Sequence, residues 1–335
     1  MHYIDTVTHF FPSRFFDKML SAPAFAGDIG KRMRHVRSVW DLDVRFKVID
    51  RFADYRQILS LGMPPLDMVA GPEEAPEYAR IANDGLAELV AKYPGRFAGW
   101  LAALPMNAPD AAAREAEHAF AAGANGLQLH TNINGATLAD PRFMGVFETA
   151  LRHDKPILLH PARRAESTDF AGETISRYEI WVIFGWPYET TAVMTQLIFS
   201  GMLDKLPGIK LLIHHMGAMV PFFEGRIRHG WAELGTRTSS SDPNVVPQKL
   251  TKPVLDYFRS FYADTALAGS ASGIRCGLDF YGADRVLFAS DCPFDAEGGV
   301  LYIGETIEAI RKLDLAPAVR DQICFGNAER LFGIG

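Results

Sequence analysis

Four short polar motifs, each closing an apolar run, constrain this chain more than anything else in it: Thr6-Val7-Thr8-His9, His160-Pro161, His214-His215-Met216-Gly217 and Ser290-Asp291-Cys292-Pro293. They are spread over nearly the whole length, so they can share one site only in a fold that gathers strand ends. A closed barrel of parallel strands does this, because its functional groups come from the C-terminal ends of several strands and the loops that follow. Imidazoles and a carboxylate at such ends point to an enzyme.

The spacing of apolar residues supports that architecture. β-Rich runs occur at Tyr3–His9, Tyr55–Leu61, Phe97–Ala103, Gly126–His130, Pro156–His160, Ile209–His214, Phe261–Asp264 and Arg285–Ala289. Between them, Glu74–Tyr93, Ala108–Ala122, Arg142–His153, Tyr188–Leu203 and Gly269–Tyr281 have helical spacing with polar faces. Strands alternating with helices make a parallel sheet, and eight strands close it. The expected fold is therefore α/β, a (β/α)8 TIM barrel forming one domain over residues 1–335. Insertions at 10–43, after the first strand, and 161–186, after the fifth, distort it; both follow strand C-termini and are expected over the active face as substrate-shaping loops. Arg237–Thr251, rich in Ser, Thr and Pro, reads as an exposed loop or subunit contact, and Asn327 as the cap of a short final helix.

Composition narrows the function. At 335 residues and 48% hydrophobic the chain can bury a large core. A net charge of -6, a pI near 5.9 and no Lys/Arg-rich run argue against a nucleic-acid partner. Asp5 interrupts the N-terminus where a signal peptide needs its apolar run, and no stretch reaches the roughly 18 apolar residues of a membrane span. Cys276, Cys292 and Cys324 lack C-x-x-C spacing, which argues against disulfides and cysteine-rich zinc sites and for a cytoplasmic location.

His9, His160 and Asp291 could supply the three ligands that a catalytic zinc ion needs while leaving a position for water or substrate. Singly, each has an ordinary alternative as a hydrogen-bonded core histidine or a turn-forming aspartate; together, at strand C-termini, they make a metal set. His215, beside Gly217, is spare and suited to general acid–base work. His214 is expected to point the opposite way and to be structural. Arg45 and Arg226 are candidates for gripping a substrate carboxylate, although most arginines are solvated or in surface ion pairs. Aromatic residues are dense in both insertions. Phe10, Phe11, Phe15, Phe16, Trp181, Phe184, Trp186 and Tyr188 could wall a pocket for a planar substrate or could be lid packing, while Phe294 follows Asp291 directly.

These motifs, with Trp40-Asp41 to Arg45, Tyr93-Pro94-Gly95-Arg96-Phe97, Pro187-Tyr188-Glu189-Thr190, Gly225-Arg226-Ile227 and Gly326-Asn327-Ala328, resemble the amidohydrolase-2 family nearly end to end. The resemblance is to its decarboxylase branch, typified by aminocarboxymuconate semialdehyde decarboxylase and γ-resorcylate decarboxylase. It implies a distorted barrel with one divalent metal, zinc or manganese, held by His160 and Asp291, with His215 as the catalytic histidine. It also implies a homodimer in which Arg45 and Arg226 hold substrate carboxylates, Arg226 across the interface. One position departs: the family's first strand ends H-x-H or E-x-H, and here the earlier ligand is Val7. Either His9, His160 and Asp291 hold the metal alone or the enzyme works without one; the survival of the other ligands with His215 favours the metal.

The expected function is metal-dependent, non-oxidative decarboxylation of a small unsaturated or aromatic carboxylic acid, a carbon–carbon lyase reaction. A hydrolase or hydratase in which Asp291 takes a proton from water is the alternative, and a binding or scaffold protein with a lapsed site is a third. No Gly-rich nucleotide-binding motif accompanies these residues.

Overall fold

The computed structural model describes residues 2–236, 238–240, 242 and 246–334. Eight parallel strands run in sequence order round one sheet: β1 (Tyr3–His9), β2 (Tyr55–Ser60), β3 (Phe97–Ala103), β4 (Gly126–His130), β5 (Ile157–His160), β6 (Leu211–Ile213), β7 (Tyr262–Asp264) and β8 (Val286–Leu287). The last strand returns to the first. Thr6 N–H donates to the Phe288 carbonyl at 3.0 Å, and His9 N–H donates to the Cys292 carbonyl at 2.9 Å. The expected TIM barrel is thus formed, nearly closed.

Five of the strands are shorter than their apolar runs, β2, β5 and β7 by one residue and β6 and β8 by three. β6 stops at Ile213 because His215 and Met216 both take φ 55° and turn the chain. β8 stops at Leu287 because the next amide bonds elsewhere, Phe288 N–H donating to the Ile323 carbonyl at 2.9 Å. Helices Ala75–Lys92, Pro109–Ala121, Met144–Arg152, Gly185–Phe199 and Ala271–Tyr281 fill the expected connections. The fourth starts three residues before Tyr188 and so carries Trp186 in its first turn.

Side chains alternate across each strand, and the inward set packs first as an apolar plug. Ile4, Val7, Ile58, Leu101, Leu158, Leu212, Leu287 and Ala289 form one cluster, closed from the far end by Ala328, Leu331 and Phe332. The last three lie in the final helix, Asn327–Phe332, where a correction is needed. Asn327 does not cap that helix; its Nδ2 donates to the carbonyls of Ala283 and Val286, both at 2.7 Å, and fastens the helix under β8.

The insertion at 10–43 folds into helices Ser13–Met19 and Asp28–His35 with short 3-10 turns. Its aromatics pack on one another rather than round an opening: Phe11, Phe15 and Phe25 are fully buried, and Phe16 stacks on Trp40 at 5.1 Å. The insertion at 161–186 is mostly turns, with one short helix at Ile180–Ile183. Of the expected loop at Arg237–Thr251, residues 237, 241 and 243–245 lie outside the described residues, and the remainder is neither helix nor strand. No helix among the described residues is long and apolar enough to cross a membrane.

Candidate active site

The polar layer at the mouth of the barrel follows from the plug beneath it. Val7, Leu158, Leu212 and Ala289 point inward, so two residues later His9, His160, His214 and Asp291 point inward too. One ligand atom from each lies within 4.8 Å of the others. His9 Nε2 is 3.1 Å from Asp291 Oδ1, His214 Nε2 is 3.6 Å from the same oxygen, and the His160 and His214 rings stack at 5.1 Å. His214 is therefore not a bystander. Its expected outward orientation fails because Leu212 faces in, and the left-handed backbone at His215 brings the second ring to the same side, 3.6 Å from the first. That turn also needs Gly217, which has φ 70° and where any Cβ would collide with the Tyr281 hydroxyl.

The outer nitrogen of each inward imidazole fixes its tautomer. Nδ1 faces the Leu61 carbonyl at 2.8 Å in His9, the Pro161 carbonyl at 2.9 Å in His160 and Asp264 Oδ2 at 2.6 Å in His214. These oxygens only accept, so each Nδ1 carries a hydrogen, and in the neutral ring each Nε2 is left with a lone pair on the Asp291 side. Three such lone pairs and a carboxylate at one buried point suit a positive ion between them. Metal-bound histidines commonly have their outer N–H anchored in this way, on a carbonyl or a carboxylate. The residues present thus fit a divalent cation.

His215 stands beside this group, its Nε2 4.0 Å from Asp291 Oδ2 and its Nδ1 buried without a partner. Burial, then the adjacent His214, pulls its pKa down to about 4, so the imidazole is neutral at pH 7. Burial pushes Asp291 up, but the adjacent His214 and His9 imidazoles outweigh it and hold the carboxyl well below its usual range.

Three further residues belong to the picture, of which Asp264 and His130 were not singled out from sequence. Asp264, at the end of β7, bonds His214 and accepts the His215 and Ala266 amides, each at 3.0 Å. His130 ends β4 with its ring 5.6 Å from His160 and its Nε2 buried and unpartnered. Trp186 lies 6.0 Å from His160. The strand-end positions of Asp264 and His130 were the available signal.

The expected substrate contacts divide. Phe294 is at the site, its ring 5.3 Å from that of His9. Trp181 is one ring removed, 6.0 Å from Trp186. Arg226 is exposed on helix Glu224–Trp231, on the wall of a groove with Phe223 and Trp231 that contains none of the metal-set residues. Arg45 is not available to a substrate. It is fully buried, and its guanidinium donates to the Ser38 carbonyl at 2.8 Å, to Gln57 Oε1 at 3.2 Å, to Cys292 Sγ at 3.0 Å and to the His9 carbonyl. It braces the backbone beneath His9 and Asp291.

Asp5 extends this brace. Its carboxyl accepts from Tyr55 and Ser290 hydroxyls, each at 2.5 Å, yet burial raises its pKa to about 7. A carboxyl raised in the fold favours the folded state below its unfolded pKa near 4 and loses that advantage as pH rises to 7. Asp5→Asn, neutral throughout, should therefore gain thermal stability relative to wild type between pH 4 and 7, by an amount on the order of 4 kcal/mol at most. Parallel melting curves that keep a constant gap over that range would contradict the assignment.

A parallel barrel with a buried histidine–carboxylate cluster at its C-terminal mouth defines a class of metal-binding barrel enzymes. The chain belongs to the amidohydrolase family, whose model matches residues 4–334. Among its relatives, γ-resorcylate decarboxylase of Polaromonas sp. strain JS666 is 32% identical over 300 residues, covering 87% of this chain and 86% of that protein. 2-Amino-3-carboxymuconate-6-semialdehyde decarboxylase of Dictyostelium discoideum is 27% identical over 307 residues, covering 91% and 80%. The crystal structure of a dihydroxybenzoic acid decarboxylase from Polaromonas sp. JS666, with bound manganese and the inhibitor 2-nitroresorcinol, superposes with a TM-score of 0.79 at 28% identity, covering 99% of this chain and 97% of that one.

Proposed function

We propose that the protein is a metal-dependent, non-oxidative decarboxylase, a carboxy-lyase acting on a small aromatic carboxylic acid. The observation that carries this reading is the convergence of His9, His160 and Asp291 beside a spare, neutral imidazole, His215, in a chain that matches named decarboxylases over most of its length. In this reading His9, His160 and Asp291 would hold the ion. When bound, a divalent cation there polarises the oxygens of the acid and orients its carboxylate. Zinc is the first choice for imidazole and carboxylate donors, and the manganese of the Polaromonas structure supports that ion as the alternative.

His215 takes a proton from the substrate's own hydroxyl or from water and delivers it to the ring carbon that bears the carboxylate. As that C–H bond forms, the C–C bond breaks, its electron pair restores the aromatic ring, and carbon dioxide leaves. The ring itself is the electron sink, so no organic cofactor is needed. Phe294 against His9 and Trp186 against His160 offer flat apolar surfaces for such a substrate. The reading includes a homodimer, in which the exposed Arg226 would reach the neighbouring copy's substrate.

Incubation with a panel of hydroxybenzoic and muconate-type acids, followed by mass spectrometry, tests the reaction. The expected product is lighter than the substrate by one carbon dioxide. A product heavier by one water would replace this reading with the hydratase or hydrolase one. Removal of metal by chelation is expected to reduce turnover to background, with recovery on adding zinc or manganese; full activity after removal would take the ion out of the mechanism.

A further inference from the structure

We propose that His214 supplies the metal ligand that Val7 cannot, so that one donor of a four-donor centre has moved from β1 across the barrel to the end of β6. The inference rests on the metal-site reading above and deepens it.

Val7 occupies the inward position two residues before His9, but its side chain is wholly buried in the apolar plug with Ile4 and Leu212 and offers no donor. Opposite, His214 is fully buried, and its Nε2 has no hydrogen-bond partner although it lies 3.6 Å from Asp291 Oδ1. A buried imidazole nitrogen without a partner is costly unless something occupies its lone pair. The ring is not free to turn away, because His160 stacks on one side at 5.1 Å and Nδ1 is tied to Asp264 at 2.6 Å.

Asp264 is itself fixed by the amides of His215 and Ala266. Asp264–His214 is thus built as a carboxylate-anchored imidazole, the arrangement that orients a histidine toward a metal and raises its basicity. Counting His214 restores three imidazoles and one carboxylate, His9, His160, His214 and Asp291, which are the four residues whose donor atoms cluster. The adjacent histidines then divide the work: His214 binds, and His215, whose Nε2 is 4.0 Å from the other Asp291 oxygen, stays free to carry a proton.

Zinc binding itself tests this without any turnover assay. Competition with a chromogenic chelator is expected to show zinc held more than 100-fold less tightly by His214→Gln than by wild type. Asp264→Asn should weaken it by about 10–100-fold, as loss of an outer-shell anchor does. Adding Val7→His to His214→Gln should recover most of the affinity by returning the donor to β1. Zinc-edge X-ray absorption on the wild-type protein, which needs no variant to fold, should count three imidazoles round the ion. Wild-type affinity in His214→Gln, or two imidazoles in the wild-type spectrum, would overturn the proposal. Neither result bears on whether the substrate loses carbon dioxide, so the two readings fail separately.

Discussion

Replacing His215 with asparagine is expected to slow decarboxylation by about 10²–10⁴-fold, the range usual for loss of a positioned proton-transfer group. Metal content and the affinity for an unreactive substrate analogue should stay near wild type, because His215 lies outside the four-atom donor cluster. The split matters more than the size of the loss. A variant that has also shed its metal would move His215 into the ligand set, and one that turns over normally would remove it from the chemistry altogether.

Arg45→Met is expected to cost several kcal/mol of folding stability, about 1–3 kcal/mol for each buried acceptor left unpaired, read as a lower urea midpoint. Among the described residues no carboxylate forms an ion pair with Arg45; its charge is spread over hydrogen bonds to the Ser38 and His9 carbonyls, Gln57 and Cys292. Methionine fills much of the same space but leaves those acceptors buried and unpaired. Arg45→Lys should recover only part of the loss, since an ammonium cannot span donors set out for a planar fork. A variant as stable as wild type, but with a raised KM for acidic substrates, would instead place Arg45 at the substrate.

These outcomes depend on parts of the site that were legible in the sequence to different degrees. His9, His160 and Asp291 could be read because an apolar run ending in a polar residue, in a strand that faces a packed interior, sends that residue to the mouth. His214 could not. Two adjacent residues of a continuing strand face opposite ways, and the turn that lets both rings face inward sits on His215 and Met216, non-glycine residues at φ 55° that carry no sequence mark. Arg45 left a signal that went unused: it shares the buried face of helix Leu42–Ile49 with Val48 and Ile49, at the i+3 and i+4 spacing of a core stripe. Asp264 was placed at a strand end from the start, but what it does depends on which way His214 points. Arg226 is the reverse case, since an exposed side chain takes its meaning from a neighbouring copy and not from this chain's own packing.

The apolar plug under the active layer has a consequence for traffic. Leu158, Leu212 and Leu287 fill the interior immediately below the histidines, and Leu331 and Phe332 seal the far end, so the barrel is a cup and not a tube. Under the proposed reaction, acid entering, carbon dioxide escaping and decarboxylated ring departing all use one doorway. The small gas is released at the floor while the bulkier ring still blocks the way out, which favours recapture over escape until the ring has left. The aromatic packing at that doorway then governs how fast acid, gas and ring exchange, equally in both directions, while their concentrations alone decide which way the net flow runs.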